Sequence, residues 1–215
     1  MIRAYDEQYL TDAEDNLGEA FDYAVNRCGL GIDEFMDLFI GCGLSESFGK
    51  GNPSLVSGRS GTELAIDVIE RSGVNRSFPE PQTEYDYSPE YWCGWILAYY
   101  QWSSGMPFKE IRNAVSMKEL CALYNPLHEA GEEKAADTIN ALVTERKTTA
   151  KLQLLRKNCG FSQKELAEKS GVNLRTLQQY ELRTKDIAKA SFKSVLALAD
   201  VLGCRPEELL DFPSM

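Results

Sequence analysis

The chain has 215 residues, of which 43% are hydrophobic and 26% are charged, a composition typical of globular proteins and unlike that of disordered chains. The length favours two domains, since a domain usually takes about 100 to 200 residues. The longest apolar stretch, Trp92 to Trp102, is interrupted by Gly94 and Gln101 and is far shorter than the ~20 residues that cross a bilayer. We therefore expect no transmembrane segment, and a start at Met1 without an apolar signal core predicts a cytoplasmic protein.

Charge is divided unevenly along the chain. Residues 147 to 215 contain 12 Lys and Arg against 8 Asp and Glu, a net charge of +4, whereas residues 1 to 146 contain 11 against 25, a net charge of −14. A basic segment attached to an acidic body is the pattern expected when one part of a protein meets phosphate and the rest faces away.

The cysteines and the one histidine do not form a metal-binding pattern. The six cysteines are far apart, include no Cys-x-x-Cys pair and are accompanied only by His128. This spacing argues against a zinc site, and we expect neither a metal nor a cofactor. We predict that most of the cysteines are small buried hydrophobic residues: Cys28, Cys42, Cys93, Cys121, Cys159 and Cys204.

Helical periodicity begins near the N-terminus. Apolar residues at steps of three and four predict a helix from Asp6 to Cys28, which a glycine-rich turn ends. Asp33 is the predicted N-cap of a second helix that ends near Gly41. A capping box, Ser60 to Glu63, opens a third helix. The carboxylates of the first helix predict a solvated face: Asp12, Glu14, Asp15 and Glu19.

The most aromatic helix follows a cap at Ser88 and a proline at position 89, and it runs to about Ser103. Its aromatic residues are Tyr91, Trp92, Trp95, Tyr99, Tyr100 and Trp102. Because no basic residue lies between Tyr85 and Phe108, we do not expect nucleic acid to stack there. Core packing is the favoured interpretation, and a ligand pocket or a partner surface is the alternative.

The remaining elements before residue 146 are also predicted from breaks and caps. Residues 72 to 87 contain two prolines and little periodicity, which predicts a surface loop. Pro107 opens a helix, and Ser116 to Glu119 is a further capping box. Asn125 and Pro126 predict a break before a long helix from Leu127 to Glu145. No run of residues predicts a strand, so the fold class is all-α.

Residues 162 to 181 have the features of two helices joined by a tight corner. Ser162 can cap the first helix, and Gly171 can end it in the left-handed conformation at little steric cost. Asn173 can cap the second helix, on which Leu177 returns to the core side. The outward side of that helix then carries Leu174, Arg175, Gln178 and Gln179.

This corner resembles the Cro and phage-repressor-like helix-turn-helix family, also called XRE. The resemblance extends from Thr148 to Phe212, because Leu152 and Leu155 mark a helix before the corner and two further helical patterns follow it. Arg205 is one departure, since a Ser, Thr or Asp usually caps the closing helix. The resemblance implies a five-helix, lambda-repressor-like DNA-binding domain at residues 147–215, after an acidic multi-helix domain at residues 1–146.

The resemblance also implies which side chains contact DNA, with the helix 173–181 in the major groove. The base contacts that it implies are Leu174, Arg175, Gln178 and Gln179. Gln163 matches a family position that contacts phosphate. Spacing and charge add four more predicted phosphate contacts: Lys164, Asn173, Arg183 and Lys185.

Three functional hypotheses follow from these patterns. The leading one is a sequence-specific transcriptional repressor that binds double-stranded DNA, as a homodimer on an inverted-repeat operator. The second is an antitoxin-like autorepressor whose acidic domain neutralises a partner protein. The third, an enzyme in residues 1–146, lacks any motif that combines a nucleophile, a base and an orienting group, so we predict that the protein is not an enzyme. The acidic domain is expected to hold a dimer, sense a small-molecule effector or bind a protein, and no membrane contact is expected.

Overall fold

A computed structural model describes residues 3–81 and 88–210 of the chain. All regular secondary structure within these two ranges is helical, which confirms the all-α prediction. The chain separates into two compact units, Met1–Val143 and Thr144–Met215. Parts of two predictions, the end of the loop at 82–87 and the end of the C-terminal domain at 211–215, lie outside the described residues.

The first unit is made of short and medium-length helices. They are α1 (Leu10–Asp22), α2 (Ile32–Gly41), α3 (Leu44–Gly49), α4 (Pro53–Val56), α5 (Gly61–Arg71), α6 (Pro89–Ser104), α7 (Phe108–Ala114), α8 (Met117–Ala122) and α9 (Tyr124–Leu127). A further helix, α10 (Glu132–Thr148), includes the boundary between the units. A 3-10 turn at Glu7–Tyr9 precedes α1 and a π-helical turn at Tyr23–Arg27 follows it, so the helix predicted from Asp6 to Cys28 is present.

The packing of α1 against α6 organises the first unit. A Cβ atom at Gly94 of α6 would lie 2.3 Å from the carbonyl oxygen of Leu17 in α1, so only glycine permits this approach. Fully buried aromatic side chains fill the core beside this contact, and Phe21 and Phe35 meet edge to face with ring centroids 5.1 Å apart. Most of the aromatic residues predicted on α6 also belong to this core, as expected.

Three predicted helix starts are confirmed by their hydrogen bonds. The Ser60 hydroxyl accepts from the backbone N–H of Glu63 at 3.2 Å, and the Glu63 carboxylate accepts from the backbone N–H of Ser60 at 2.9 Å. Ser116 and Glu119 make the same reciprocal pair at the start of α8. Ser88 caps α6. These helix starts are fixed by hydrogen bonds between residues three positions apart in sequence.

The predicted N-cap at Asp33 is wrong. Helix α2 begins two residues earlier than predicted, at Ile32 with Gly31 as its N-cap, and Glu34 accepts the backbone N–H of Gly31 at 3.2 Å. The Asp33 carboxylate instead accepts the backbone N–H of Met117 at 2.7 Å, at the first residue of α8. Asp33 therefore satisfies a free donor of a helix that is distant in sequence.

The predicted break at Asn125 and Pro126 is also misplaced. Both residues lie within α9, where Pro126 occupies the first turn and its missing N–H costs no hydrogen bond. The chain breaks at Gly131 instead, so the long helix begins at Glu132 rather than at Leu127.

The predicted solvated face of α1 is only partly present. Asp12 and Asp15 are exposed, but Glu14 is 5% exposed. Burial, together with the nearby carboxylates of Glu132 and Asp15, raises the pKa of the Glu14 carboxyl to about 8. Glu19 is half-buried and accepts two hydrogen bonds at the start of α5.

The cysteines are also less buried than predicted, although all six are free. Cys28 and Cys93 are buried, three others are partly buried and Cys159 is exposed. No helix of the described residues is both long enough and apolar enough to span a bilayer.

The second unit contains the helices of the predicted C-terminal domain. They are α11 (Lys151–Asn158), α12 (Gln163–Ser170), α13 (Leu174–Glu181), α14 (Phe192–Leu202) and a closing 3-10 turn, Pro206–Leu209. Their core includes Leu152, Leu166, Leu177, Leu198 and Leu209, all nearly or fully buried. As the departure at Arg205 suggested, the Arg205 side chain does not cap the closing turn, but the Glu208 carboxylate accepts the backbone N–H of Arg205 at 2.8 Å.

Candidate nucleic-acid interface

The corner between α12 and α13 has the local structure that its sequence predicts. The Ser162 hydroxyl accepts from Glu165 N–H at 3.2 Å, and the Glu165 carboxylate accepts from Ser162 N–H at 2.8 Å. Gly171 ends α12 with φ of 69°, in the left-handed region that disfavours a Cβ atom. Asn173 then caps α13, its Oδ1 accepting the N–H of Arg175 at 2.9 Å and that of Thr176 at 3.4 Å. The direction of α13 is thus set at its first turn.

Helix α13 has one buried and one outward side. Leu177 and Tyr180 are buried in the core of the second unit. The four predicted base contacts share the other side: Leu174 and Arg175 are exposed, and Gln178 and Gln179 are half-buried. Leu174 keeps 37% of its surface accessible.

A polar network joins the start of α12 to the end of α13. The Gln163 Nε2 group donates to Glu181 Oε2 at 2.7 Å, and Gln163 Oε1 accepts from the Gln178 side chain at 3.3 Å. Gln163, predicted to contact phosphate, and Gln178, predicted to contact bases, are therefore neighbours. Their hydrogen bond restricts the rotamers of both amides before any ligand binds.

At the centre of this network lies an ion pair that the sequence analysis missed. Arg156 of α11 makes a bidentate contact with Glu181, with Nε to Oε1 at 2.6 Å and Nη2 to Oε2 at 2.9 Å. Its Nη1 also donates to the carbonyl oxygen of Phe161 at 2.7 Å. The side chains of Arg156 and Glu181 are only 9% and 1% exposed, and the hydrogen bonds to the carboxylate raise the pKa of the Arg156 guanidinium.

A signal for this ion pair was present in the sequence. Arg156 lies four residues after Leu152, so the periodicity of α11 places it on the apolar side of that helix. A buried arginine requires an acidic partner, and Glu181 follows the buried Tyr180 on α13. The pair therefore fixes the end of α13 against α11.

The side chains of the predicted phosphate contacts differ in the interactions that they make within their own domain. Lys164 is exposed and lies 3.9 Å from Glu168 one turn further along α12. The Lys185 ammonium lies 5.6 Å from the centre of the Tyr180 ring. Arg183 adopts a positive φ of 55°, and its Nη2 donates to the carbonyl oxygen of Thr149 at 3.2 Å. Arg183 is thus already engaged by its own domain, and the side chains of both lysines are exposed.

No group of three or more His, Cys, Asp or Glu residues that could hold a metal ion occurs within residues 3–81 and 88–210.

A helix-turn-helix family model matches residues 152–209, which span α11 to the closing turn, and no family model matches the first unit. No curated protein and no solved structure is significantly similar to the chain. The match and the geometry agree on the same segment. Residues 152–209 are a helix-turn-helix domain of the Cro/C1 or XRE type, the DNA-binding domain of transcription regulators.

Proposed function

We propose that the protein is a sequence-specific transcriptional repressor that binds its operator with α13 in the major groove. The observation that carries this proposal is the outward side of α13, where Leu174, Arg175, Gln178 and Gln179 lie together on a helix fixed at both ends. A helix in the major groove needs such a row of side chains, and it needs a rigid support behind them.

The chemistry of this row suits base edges. Arginine can donate two hydrogen bonds to guanine O6 and N7, and the amide of glutamine pairs with adenine N6 and N7. Arg175 is the exposed charged residue of the row and is assigned to guanine, and Gln179 is assigned to adenine. The exposed Leu174 side chain can contact a thymine methyl group. Gln178 is a further base contact whose amide is already oriented by Gln163.

The five predicted phosphate contacts supply affinity and register rather than sequence preference. Gln163 and Asn173 lie at the starts of α12 and α13, where backbone N–H groups favour anions. Lys164 and Lys185 carry exposed ammonium groups, and Arg183 follows the C-terminal end of α13. Residues 147–215 have a net charge of +4, which supports attraction to the phosphate backbone.

The acidic residues 1–146 have a net charge of −14 and would be repelled by DNA within the ~8 to 10 Å reach of unscreened charge. We infer that they face away from the duplex and hold a homodimer. Two α13 helices separated by one DNA turn, about 34 Å, would read an inverted repeat. Gel filtration that shows a strict monomer with and without operator DNA would contradict the dimer.

The test is selection of binding sites from a random DNA pool with the full-length protein, followed by affinity measurements at two salt concentrations. Arg175→Ala should lose ~1 to 3 kcal/mol on the selected site and relax the preference at one base pair. Lys185→Ala is the matched control, since it removes one positive charge outside α13 and should weaken all sequences alike. Uniform loss across sequences from both variants would contradict the assignment.

The alternative is an antitoxin-like autorepressor, in which the acidic first unit binds and neutralises a basic partner protein. The charge of −14 over residues 1–146 favours this alternative, because it complements a basic surface. Coexpression with the product of the neighbouring gene of the same operon tests it. Rescue of growth by residues 1–143 together with a stable complex would support the alternative, and failure of both would contradict it.

A further inference from the structure

The first unit contains an aromatic pocket of about 330 Å³ that the proposed DNA-binding function does not use. Its lining residues are Asp15 of α1, Tyr91, Trp92 and Trp95 of α6, Tyr124 of α9 and the following His128. These residues include the first three aromatic side chains of α6, the helix for which the sequence left a ligand pocket open as an alternative. The volume lies at the lower end of the range found for small-molecule sites, ~300 to 1,000 Å³.

The walls of the pocket are held in place by packing and hydrogen bonds. A Cβ atom at Gly18 would lie 3.0 Å from two carbons of the Tyr91 ring, so this glycine lets the ring lie close against α1. One turn before Gly18, Asp15 Oδ1 accepts the Tyr91 hydroxyl at 2.9 Å. The Trp92 and Tyr124 rings meet at 71° with centroids 5.9 Å apart, which makes a corner of two aromatic walls.

The side chains that line the pocket differ in their exposure to solvent. Tyr91 and Trp92 are 9% and 7% exposed, Trp95 and Tyr124 are half-buried, and Asp15 is exposed. The pocket therefore has a desolvated aromatic interior and a carboxylate that solvent can reach. The His128 ring stacks on Tyr124 with centroids 4.5 Å apart, which extends the aromatic wall.

The electrostatics of this arrangement select a cation. Aromatic faces carry partial negative charge and attract cations within about 6 Å of the ring centre, most strongly where water is excluded. The Tyr91 hydroxyl donates a hydrogen bond to the Asp15 carboxylate, which increases the electron density of the Tyr91 ring. Among the residues that the structure describes, no lysine or arginine lines the pocket, and residues 1–146 have a net charge of −14. An anion or a neutral polar ligand would gain no comparable electrostatic attraction in this pocket.

We propose that this pocket binds a small alkylated ammonium compound, with its trimethylammonium-like head between the rings of Tyr91, Trp92, Trp95 and Tyr124. Methyl groups on the nitrogen suit a mostly aromatic lining, because a trimethylammonium head has no N–H donor that needs an acceptor. A primary ammonium ion carries three N–H donors and would lose more hydration among the aromatic rings. The Asp15 carboxylate supplies the compensating negative charge.

A larger cavity in the same unit, about 830 Å³, is less selective. Lys50, Lys109 and Glu46 all line it, so its charge does not define one class of ligand. The buried Gln101 also lines it and holds a carbonyl oxygen without a hydrogen-bond partner, which indicates a polar contact but not its identity. The aromatic pocket is the more informative site because its lining residues favour one class of ligand, a cation.

The inference is independent of DNA binding and is tested by isothermal titration calorimetry on the full-length protein. The probes are tetramethylammonium chloride and choline chloride, with sodium chloride as the ionic-strength control. The neutral isostere 3,3-dimethylbutan-1-ol has the shape of choline without its charge. We expect saturable binding of both cations and at least tenfold weaker binding of the isostere, a difference of ~1.4 kcal/mol. No saturable heat with the cations, or equal affinity for the isostere, would overturn the proposal.

Two variants locate the binding to this pocket. Asp15→Asn keeps the size of the side chain and should weaken choline binding about tenfold, whereas the matched Asp12→Asn, an exposed position on the same helix, should leave it unchanged. Trp95→Ala, at a half-buried position packed against the core, should weaken binding about tenfold, with far-ultraviolet circular dichroism as the check that the variant is folded. Equal affinity of Asp15→Asn, Trp95→Ala and the wild type for choline would place the cation elsewhere and overturn the assignment.

Discussion

The buried ion pair between Arg156 and Glu181 makes a strong prediction about the second unit. Arg156→Met removes the guanidinium and leaves the Glu181 carboxylate, whose side chain is 1% exposed, without its cation. Breaking such a pair on one side costs ~3 to 5 kcal/mol, because the remaining charge stays desolvated. A domain of this size has a total stability of ~5 to 15 kcal/mol, so the loss is a large fraction of it.

The positions of the tryptophans allow this loss to be assigned to one unit. All three tryptophans, at positions 92, 95 and 102, belong to the unit Met1–Val143. Guanidinium denaturation of Arg156→Met, followed by far-ultraviolet circular dichroism, should show early loss of part of the helical signal. The transition followed by tryptophan fluorescence should match that of the wild type.

The control is the double variant Arg156→Met, Glu181→Met. Removing both charges leaves no uncompensated ion, so the double variant should be more stable than Arg156→Met alone. Some loss will remain, because Phe161 and Gln163 each lose a hydrogen-bond partner. A cost below ~1 kcal/mol for Arg156→Met, or a double variant as unstable as the sum of the two single variants, would refute this reasoning.

Three further substitutions have defined outcomes. Gly171→Ala should destabilise the second unit by about 1 kcal/mol in chemical denaturation, since alanine disfavours the left-handed φ although nothing lies within 4 Å of its Cβ. Ser162→Ala should cost ~1 kcal/mol in the same assay, because Glu165 N–H loses its acceptor. The stability of the first unit, followed by tryptophan fluorescence, should fall as pH rises from about 4.5 to about 8, since folded Glu14 keeps a proton that the unfolded chain releases. Glu14→Gln should remove this part of the slope, and an unchanged slope would contradict the burial argument.

Features fixed by neighbouring residues were predictable from the sequence. The capping boxes at Ser60 and Ser162, the left-handed Gly171 and the cap at Asn173 all depend on contacts within three residues. Such contacts need no partner that is distant in sequence, so the local pattern predicted them. The outward side of α13 was predictable for the same reason, since helical geometry places Arg175 nearly opposite Leu177, two positions further along the helix.

Features that depend on distant residues were not predictable in the same way. Asp33 was predicted to cap its own helix, but it accepts a hydrogen bond from Met117, 84 positions away. Glu14 was assigned to a solvated face, but it is buried near Glu132. The partner of Arg156, 25 residues away, could be inferred only as an acid of unknown position. Sequence patterns define which residues need partners, and only the tertiary fold determines which partners they find.

The aromatic pocket is a binding site that the sequence could not predict for the same reason. The pattern of α6 indicated many aromatic residues, and most of them are core residues, as expected. The pocket exists because Asp15 of α1 and Tyr124 of α9 lie beside the start of α6, and no sequence pattern links these three helices.

The central claim is that Arg175 on α13 reads a guanine edge in the major groove. The direct test replaces each guanine of the selected operator in turn with 7-deazaguanine, which lacks the N7 acceptor, and measures the affinity of the wild type and of Arg175→Ala for each site. The account predicts one guanine per half-site whose replacement weakens the wild type by ~1 to 3 kcal/mol and has little further effect on Arg175→Ala. Equal losses for both proteins at every guanine would show that Arg175 does not read the major groove and would contradict the account.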